Sequence, residues 1–88
     1  MSTTVTLRFF AAARAATGLD ELACVSAGEP TIGELVDGVF PAKGKDPGEL
    51  ARVLGRCAFL VDGVSTQDRS RVVPAGAVVD VMPPFAGG

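Results

Sequence analysis

An alternation of apolar and polar residues opens the chain. If residues 3–10 are extended, Val5, Leu7 and Phe9 fall on one side and mainly polar side chains fall on the other. This pattern predicts a half-buried strand. Residues 21–25 form a second extended run, and the two runs are expected to pair as a hairpin.

The main helix is predicted over residues 32–40. Thr31 and Glu34 have the spacing of a capping box, and Pro41 is expected to stop the helix. Its apolar stripe, spaced at i, i+3, i+4 and i+7, consists of Ile32, Leu35, Val36 and Val39. A stripe of this kind must bury against another element, and the nearest candidate is a sheet.

Two shorter segments also carry helical signals. Residues 11–18 are small and polar, which predicts a turn or a short helical loop ended by Gly18. Asp46 and Pro47 are suited to the cap and first position of a second, shorter helix, which ends at Gly55.

The remaining strands follow in the second half of the chain. Residues 57–61 form an apolar run, the Asp62-Gly63 turn closes it, and a short strand returns through Val64. Residues 77–82 form the last strand. The order of elements predicts an α+β fold in which one main helix packs across one sheet, as a single domain over residues 1–82.

Composition narrows the function. Of the 88 residues, 48% are hydrophobic and 20% charged, which is enough for a packed core and argues against disorder. The net charge of −2 and the interleaved basic residues give no sign of nucleic-acid binding. No apolar run approaches the roughly 20 residues of a membrane span. We therefore expect a cytoplasmic protein.

The residues needed for catalysis are scarce. The chain has no histidine, so neither a Ser/His nor a Cys/His nucleophilic pair can form. Cys24 and Cys57 lack C-x-x-C spacing and are interpreted as buried reduced thiols, so no metal site is expected. The body of the protein is a poor candidate for an enzyme with its own active site.

An apolar patch is predicted on the outer face of the sheet. If Asp80 points away from the core, the strand parity places Val79 and Val81 toward the helix. The side chains left on the opposite face, our candidates for partner binding, are Phe10, Leu60, Val78 and Met82. The alternative is that they are ordinary scattered apolar residues of a sheet surface.

The C-terminal segment, residues 83–88, is interpreted as a flexible tail. It reads Pro83-Pro84-Phe85-Ala86-Gly87-Gly88. The prolines cannot continue a strand ladder, and the two glycines, which have no Cβ, allow close approach to another backbone. Six extended residues reach about 20 Å, so the Gly88 carboxylate could enter a partner's active site. The alternative is a frayed terminus without function.

Both ends of the chain carry a family resemblance. Phe9-Phe10-Ala11 followed by Arg14 and Gly18, together with the Pro-Pro-x-x-Gly-Gly ending, resembles the ubiquitin-like sulfur carriers, most closely the small subunits of molybdopterin synthase (MoaD) and more distantly ThiS. The resemblance spans the whole chain. It implies the β-grasp fold, in which the first and last strands lie side by side in a mixed sheet.

The resemblance also implies a chemistry centred on Gly88. An E1-like (MoeB-like) partner would use ATP to adenylate the Gly88 carboxylate, and a sulfur donor protein would convert it to a thiocarboxylate. A large (MoaE-like) subunit would then pass the sulfur to a pterin precursor during molybdenum cofactor biosynthesis. This chain would bind no cofactor itself.

Three alternatives remain open on the sequence. The chain could be a sulfur carrier for thiamine-thiazole or cysteine biosynthesis, or a ubiquitin-like modifier conjugated to lysines through Gly88. The third is an interaction domain whose tail is inert.

Overall fold

The computed structural model describes residues 2–84. Within this range five strands and three helices follow one another along the chain. They are β1 (Thr3–Phe9), α1 (Ala11–Thr17), β2 (Glu21–Ser26), α2 (Ile32–Asp37), α3 (Pro47–Leu54), β3 (Ala58–Val61), β4 (Val64–Thr66) and β5 (Val78–Met82).

The strands form one mixed sheet in the order β2-β1-β5-β3-β4. The central pair, β1 and β5, is parallel, and every other pair is antiparallel. The predicted hairpin of β1 and β2 is confirmed, as is the neighbouring position of the first and last strands. The molecule has the expected α+β, β-grasp architecture.

The helices cover one face of this sheet. The strand residues predicted to face inward are confirmed as core residues, since Val5, Leu7, Val79 and Val81 are each at most 1% exposed. The same buried cluster includes Phe59 of β3 and contributions from all three helices, namely Ala13, Ile32, Leu35, Val36, Leu50 and Leu54. Period-two alternation in the strands therefore sets which side of the sheet the helices occupy.

The α2 cap forms as predicted. Glu34 N–H donates to Thr31 Oγ1 at 3.1 Å, and Thr31 N–H donates to Glu34 Oε1 at 2.9 Å. The predicted length of this helix is wrong, because α2 ends at Asp37. Gly38 N–H bonds back to carbonyls of the last turn, and a glycine there favours termination over a further turn.

The two other helices also differ from their predicted sizes. The α3 helix, expected to be the shorter, has eight residues against six in α2, so no single helix dominates the layer. The segment predicted as a turn or helical loop forms α1, seven residues rich in alanine, the best helix former. Gly18 ends it as expected, with φ 76° and its N–H bonded to Arg14 O at 2.8 Å.

The Asp62-Gly63 turn joins β3 and β4. Both residues have positive φ, 47° and 88°, as the favoured two-residue hairpin turn requires. The Asp62 carboxylate also accepts a hydrogen bond from Val78 N–H at 2.9 Å, which connects this turn to the start of β5. Within residues 2–84, no helix has the length and apolar character needed to cross a bilayer.

Candidate docking surface and C-terminal segment

The side of the sheet opposite the helices is called the open face here. Val78, Asp80 and Met82 of β5 alternate with the buried Val79 and Val81, so the predicted parity of this strand is confirmed. Their neighbours on this face are Thr6 and Arg8 of β1, Ala58 and Leu60 of β3, and Ala23 of β2. The open face is thus built mainly from the two central strands and β3.

Phe10 and Met82 lie at the same end of the two central strands. Phe9, the last residue of β1, pairs with Val81 in the parallel ladder, and Phe10 and Met82 directly follow these two residues in the chain. Phe10 keeps an extended backbone at the cap position of α1 and is 37% exposed, and Met82 is 36% exposed. Met82 is also paired with Ala58. The structure therefore places two of the four predicted side chains together, accessible at one end of the sheet.

Leu60 and Val78 also lie on the open face, but farther along the strands from the end that carries Phe10 and Met82. Leu60 is opposite Asp80, whereas Val78 precedes Asp80 by two residues and is opposite Thr6. Both are half-buried. The four predicted residues therefore surround Asp80 and do not form an uninterrupted apolar patch.

A bidentate ion pair occupies the centre of this face. Arg8 Nε donates to Asp80 Oδ1 at 2.6 Å and Arg8 Nη2 donates to Asp80 Oδ2 at 3.1 Å. The hydrogen bonds and charge of Asp80 raise the pKa of the Arg8 guanidinium above its ordinary value. The guanidinium carbon lies 5.8 Å from the centre of the Phe10 ring, close enough for a cation–π contact.

This ion pair gives the surface a fixed charge pattern. The Asp80 side chain is only 15% exposed, while the Arg8 side chain is 49% exposed. Arg8 therefore covers the carboxylate, keeps Asp80 paired among apolar neighbours, and presents its outer side to any docking partner. The sequence prediction missed Arg8. The signal was available, because parallel pairing of the first and last strands puts Arg8 and Asp80 one residue before Phe9 and Val81.

The C-terminal segment begins at this end of the open face. Met82 is the last residue of the central strand β5, Pro83 is half-buried and Pro84 is exposed. The other predicted tail residues, Phe85, Ala86, Gly87 and Gly88, lie outside the described residues. The described part of the tail therefore leaves the sheet beside Phe10 and Met82.

Both cysteines are free thiols. Cys57 is buried, as predicted, and donates its S–H to Val53 O at 3.2 Å. The prediction of a buried thiol is wrong for Cys24, which is half-buried on the edge strand β2. Burial raises the pKa of both thiols, and nearby Arg69 partly opposes the shift at Cys57. Neither thiol has the environment of an activated nucleophile.

Comparison with protein families and known structures gives one family match and a shared fold. The model of the ThiS family matches residues 7–88. No significant match is found among curated proteins.

Three solved structures show the same fold. The Haloferax volcanii HVO 2177 protein is 25% identical, with 99% of this chain and 88% of that one covered and a TM-score of 0.74. The small archaeal modifier protein 1 of H. volcanii is 20% identical, with 94% of this chain and 99% of that one covered and a TM-score of 0.74. A chain of the complex of subunits 1 and 2 of molybdopterin-converting factor from Helicobacter pylori is 22% identical, with 97% of this chain and 99% of that one covered and a TM-score of 0.62.

The family match includes the Phe9-Phe10-Ala11 segment and all of the C-terminal segment on which the sequence resemblance was based. That resemblance is thereby confirmed. The chain belongs to the ThiS family.

Proposed function

We propose that this protein is a sulfur carrier that acts as the small subunit of a molybdopterin synthase, with Gly88 supplying the reacting carboxylate. The observation that best supports this proposal is the position of Met82. The central strand ends there, on an accessible apolar end of the open face, and the Pro83-Pro84 segment follows directly. A partner that covers Phe10 and Met82 would therefore also receive the chain that follows.

The chemistry requires activation because a carboxylate is a poor electrophile. In the proposed first step, a Gly88 carboxylate oxygen attacks the α-phosphorus of ATP in an E1-like enzyme. Pyrophosphate leaves and a mixed anhydride with AMP remains. Hydrosulfide (HS⁻) supplied by a donor protein then attacks the carbonyl carbon, the bond from that carbon to the AMP oxygen breaks, and AMP leaves, which yields the thiocarboxylate. Gly88 supplies the reacting carbon, and Gly87 has no side chain to obstruct a narrow channel.

The proposed acceptor is a pterin precursor held by a large subunit. The similarity to a chain of the H. pylori complex of subunits 1 and 2 supports a two-subunit arrangement. In this proposal Phe10, Leu60, Val78 and Met82 contact the partner. Their arrangement around a paired Arg8–Asp80 unit offers apolar contact together with a charged group of fixed orientation.

Intact-mass spectrometry tests the proposal. The purified chain is incubated with an E1-like enzyme, ATP and a sulfur donor, and replacement of one oxygen by sulfur should add about 16 Da. A variant extended by one alanine beyond Gly88 is the matched control, since it keeps the fold and removes the reacting glycine carboxylate. Equal sulfuration of both chains, without trimming of the extension, would contradict the role of Gly88.

The second candidate is a protein modifier joined to lysines through Gly88. The similarity to small archaeal modifier protein 1 favours it. The same incubation distinguishes the two functions, because conjugation gives a series of higher-mass adducts on other proteins.

Copurification identifies the acceptor within the sulfur-carrier class. Copurification of a large pterin-handling subunit supports the main proposal. Copurification of a thiazole synthase or a cysteine-forming enzyme would instead indicate a sulfur carrier for thiamine-thiazole or cysteine biosynthesis.

A further inference from the structure

The two edges of the sheet differ in how well they are protected. At one edge, β4 has only three residues, and short edge strands are a common defence against unwanted pairing. At the other edge, β2 has six residues, Glu21–Ser26, without a proline or a lysine. The edge strand β2 is therefore suited to accept another strand.

Successive residues of β2 direct their backbone N–H and C=O groups alternately toward β1 and away from the sheet. Phe9 N–H donates to Asp20 O at 2.9 Å, so in an antiparallel ladder Leu22 and Cys24 also bond toward β1. The alternate residues, Glu21, Ala23 and Val25, therefore direct their N–H and C=O groups away from the sheet. In the part of the chain that the structure describes, no other backbone group bonds to these three.

A groove runs beside this edge on the helix side. Its volume is about 550 Å³, and β2 forms one wall while α2 forms the other. The apolar part of the lining includes Leu22, Cys24 and Leu35, and Gly38, which directly follows α2, adds no side chain to that wall. A strand added to β2 would direct every second side chain into this groove.

The charge of the groove has one sign. Among the described residues that line it, the charged ones are Glu29 and Glu34, and none is a lysine or an arginine. Glu34 already accepts the Thr31 N–H bond and Glu29 accepts a 3.3 Å bond from Ala75 N–H, so both are held in place. A bound segment that carries a cationic side chain would complement these two carboxylates.

We propose that the β2 edge and its groove bind an extended, basic peptide segment of a partner protein by strand addition. Apolar side chains of the segment fill the groove at alternate positions, and a lysine or arginine lies near Glu29 and Glu34.

A second copy of this chain fits less well, because two-fold pairing of β2 strands would bring two acidic groove walls together. The proposal does not rest on sulfur transfer. The groove and the open face lie on opposite sides of the sheet, so one partner can be held while another covers the open face.

A labelled peptide tests this proposal directly. The probe is an acetylated, amidated Lys-Thr-Val-Thr-Val-Thr-Lys peptide, in which the lysines and valines share one face of the strand, with a control in which both lysines are replaced by glutamates. Fluorescence anisotropy should show binding of the lysine peptide and weaker binding of the glutamate peptide. In amide spectra, Ala23 and Val25 should shift and become protected from exchange. Shifts confined to the open face, or equal binding of both peptides, would overturn the proposal, as would absence of binding at millimolar peptide.

Two variants separate backbone pairing from charge. Ala23→Pro removes an outward N–H and should weaken binding about tenfold or more, while Ser65→Pro in the middle of the β4 edge should leave it unchanged. Glu34→Gln keeps the capping box and removes the charge, so binding should fall about two- to fivefold without a loss of folding. If Glu34→Gln binds as well as wild type, the charge argument is wrong. If the protein dimerises alone and Ala23→Pro abolishes the dimer, the edge binds a second copy and the proposal fails.

Discussion

Phe10→Asp provides a sharp test of the open face as a docking surface. Phe10 is 37% exposed, and a phenylalanine side chain contributes about 200 Å² of surface, so about 75 Å² remains for a partner to cover. At about 25 cal/mol per Å², covering this area contributes about 2 kcal/mol to binding. An aspartate there loses that contribution and must also be desolvated. We therefore expect the dissociation constant for the proposed large subunit to rise at least about 30-fold.

The matched control is Phe40→Asp. Phe40 is 77% exposed, twice as accessible as Phe10, and it lines the groove between α2 and α3 on the helix side. The same substitution there should leave the dissociation constant unchanged. If binding depended only on exposed apolar area, the substitution at Phe40 would have the larger effect. The two variants therefore show whether binding depends on the location of Phe10 on the open face or on exposed apolar area in general.

Calorimetric titration of each variant against the large subunit is the assay. Because most of the Phe10 ring is covered within the monomer, Phe10→Asp should also reduce stability, by about 1–3 kcal/mol. Thermal unfolding must therefore confirm that each variant is folded at the titration temperature. Binding of Phe10→Asp within threefold of wild type, or a weaker complex only with Phe40→Asp, would refute the assignment of faces.

Further predictions concern the same surface, the α2 cap and the thiols. Met82→Asp should weaken the same complex, and an unchanged dissociation constant in the titration would exclude Met82 from the interface. Thr31→Ala should lower the free energy of unfolding by about 1 kcal/mol, whereas Thr31→Ser keeps the cap and should match wild type in urea denaturation. Because burial raises the pKa of both thiols, alkylation should be slow at pH 8 and accelerate above pH 9, with Cys24 faster than buried Cys57; equal rates at pH 8 would contradict this.

Local patterns in the sequence predicted much of this fold. Alternation of Val5, Leu7 and Phe9, and parity around Asp80, determined which strand faces are buried, because the side-chain period of a strand is two. The α2 cap followed from the Thr31 and Glu34 spacing, since a capping box depends on residues three positions apart. These features are encoded within a few residues of one another.

Features that depend on contacts between residues far apart in the chain, or on helix propensity summed over a whole segment, were harder to predict. The Arg8–Asp80 pair joins residues 72 positions apart, so it follows from the parallel register of β1 and β5. Helix α1 was underestimated because an alanine-rich segment carries no amphipathic stripe, although its intrinsic propensity is high. Residues 85–88 lie outside the described structure, and their role stays a prediction of the sequence.

Locating the transferred sulfur atom tests the central claim most directly. The protein is sulfurated with an isotopically labelled donor, and tandem mass spectrometry then assigns the label within the chain. We predict that the label lies in the fragment that ends at Gly88 and disappears when the large subunit and pterin precursor are added. A label on Cys24 or Cys57, or its loss in a variant with both cysteines replaced by serine, would contradict the claim.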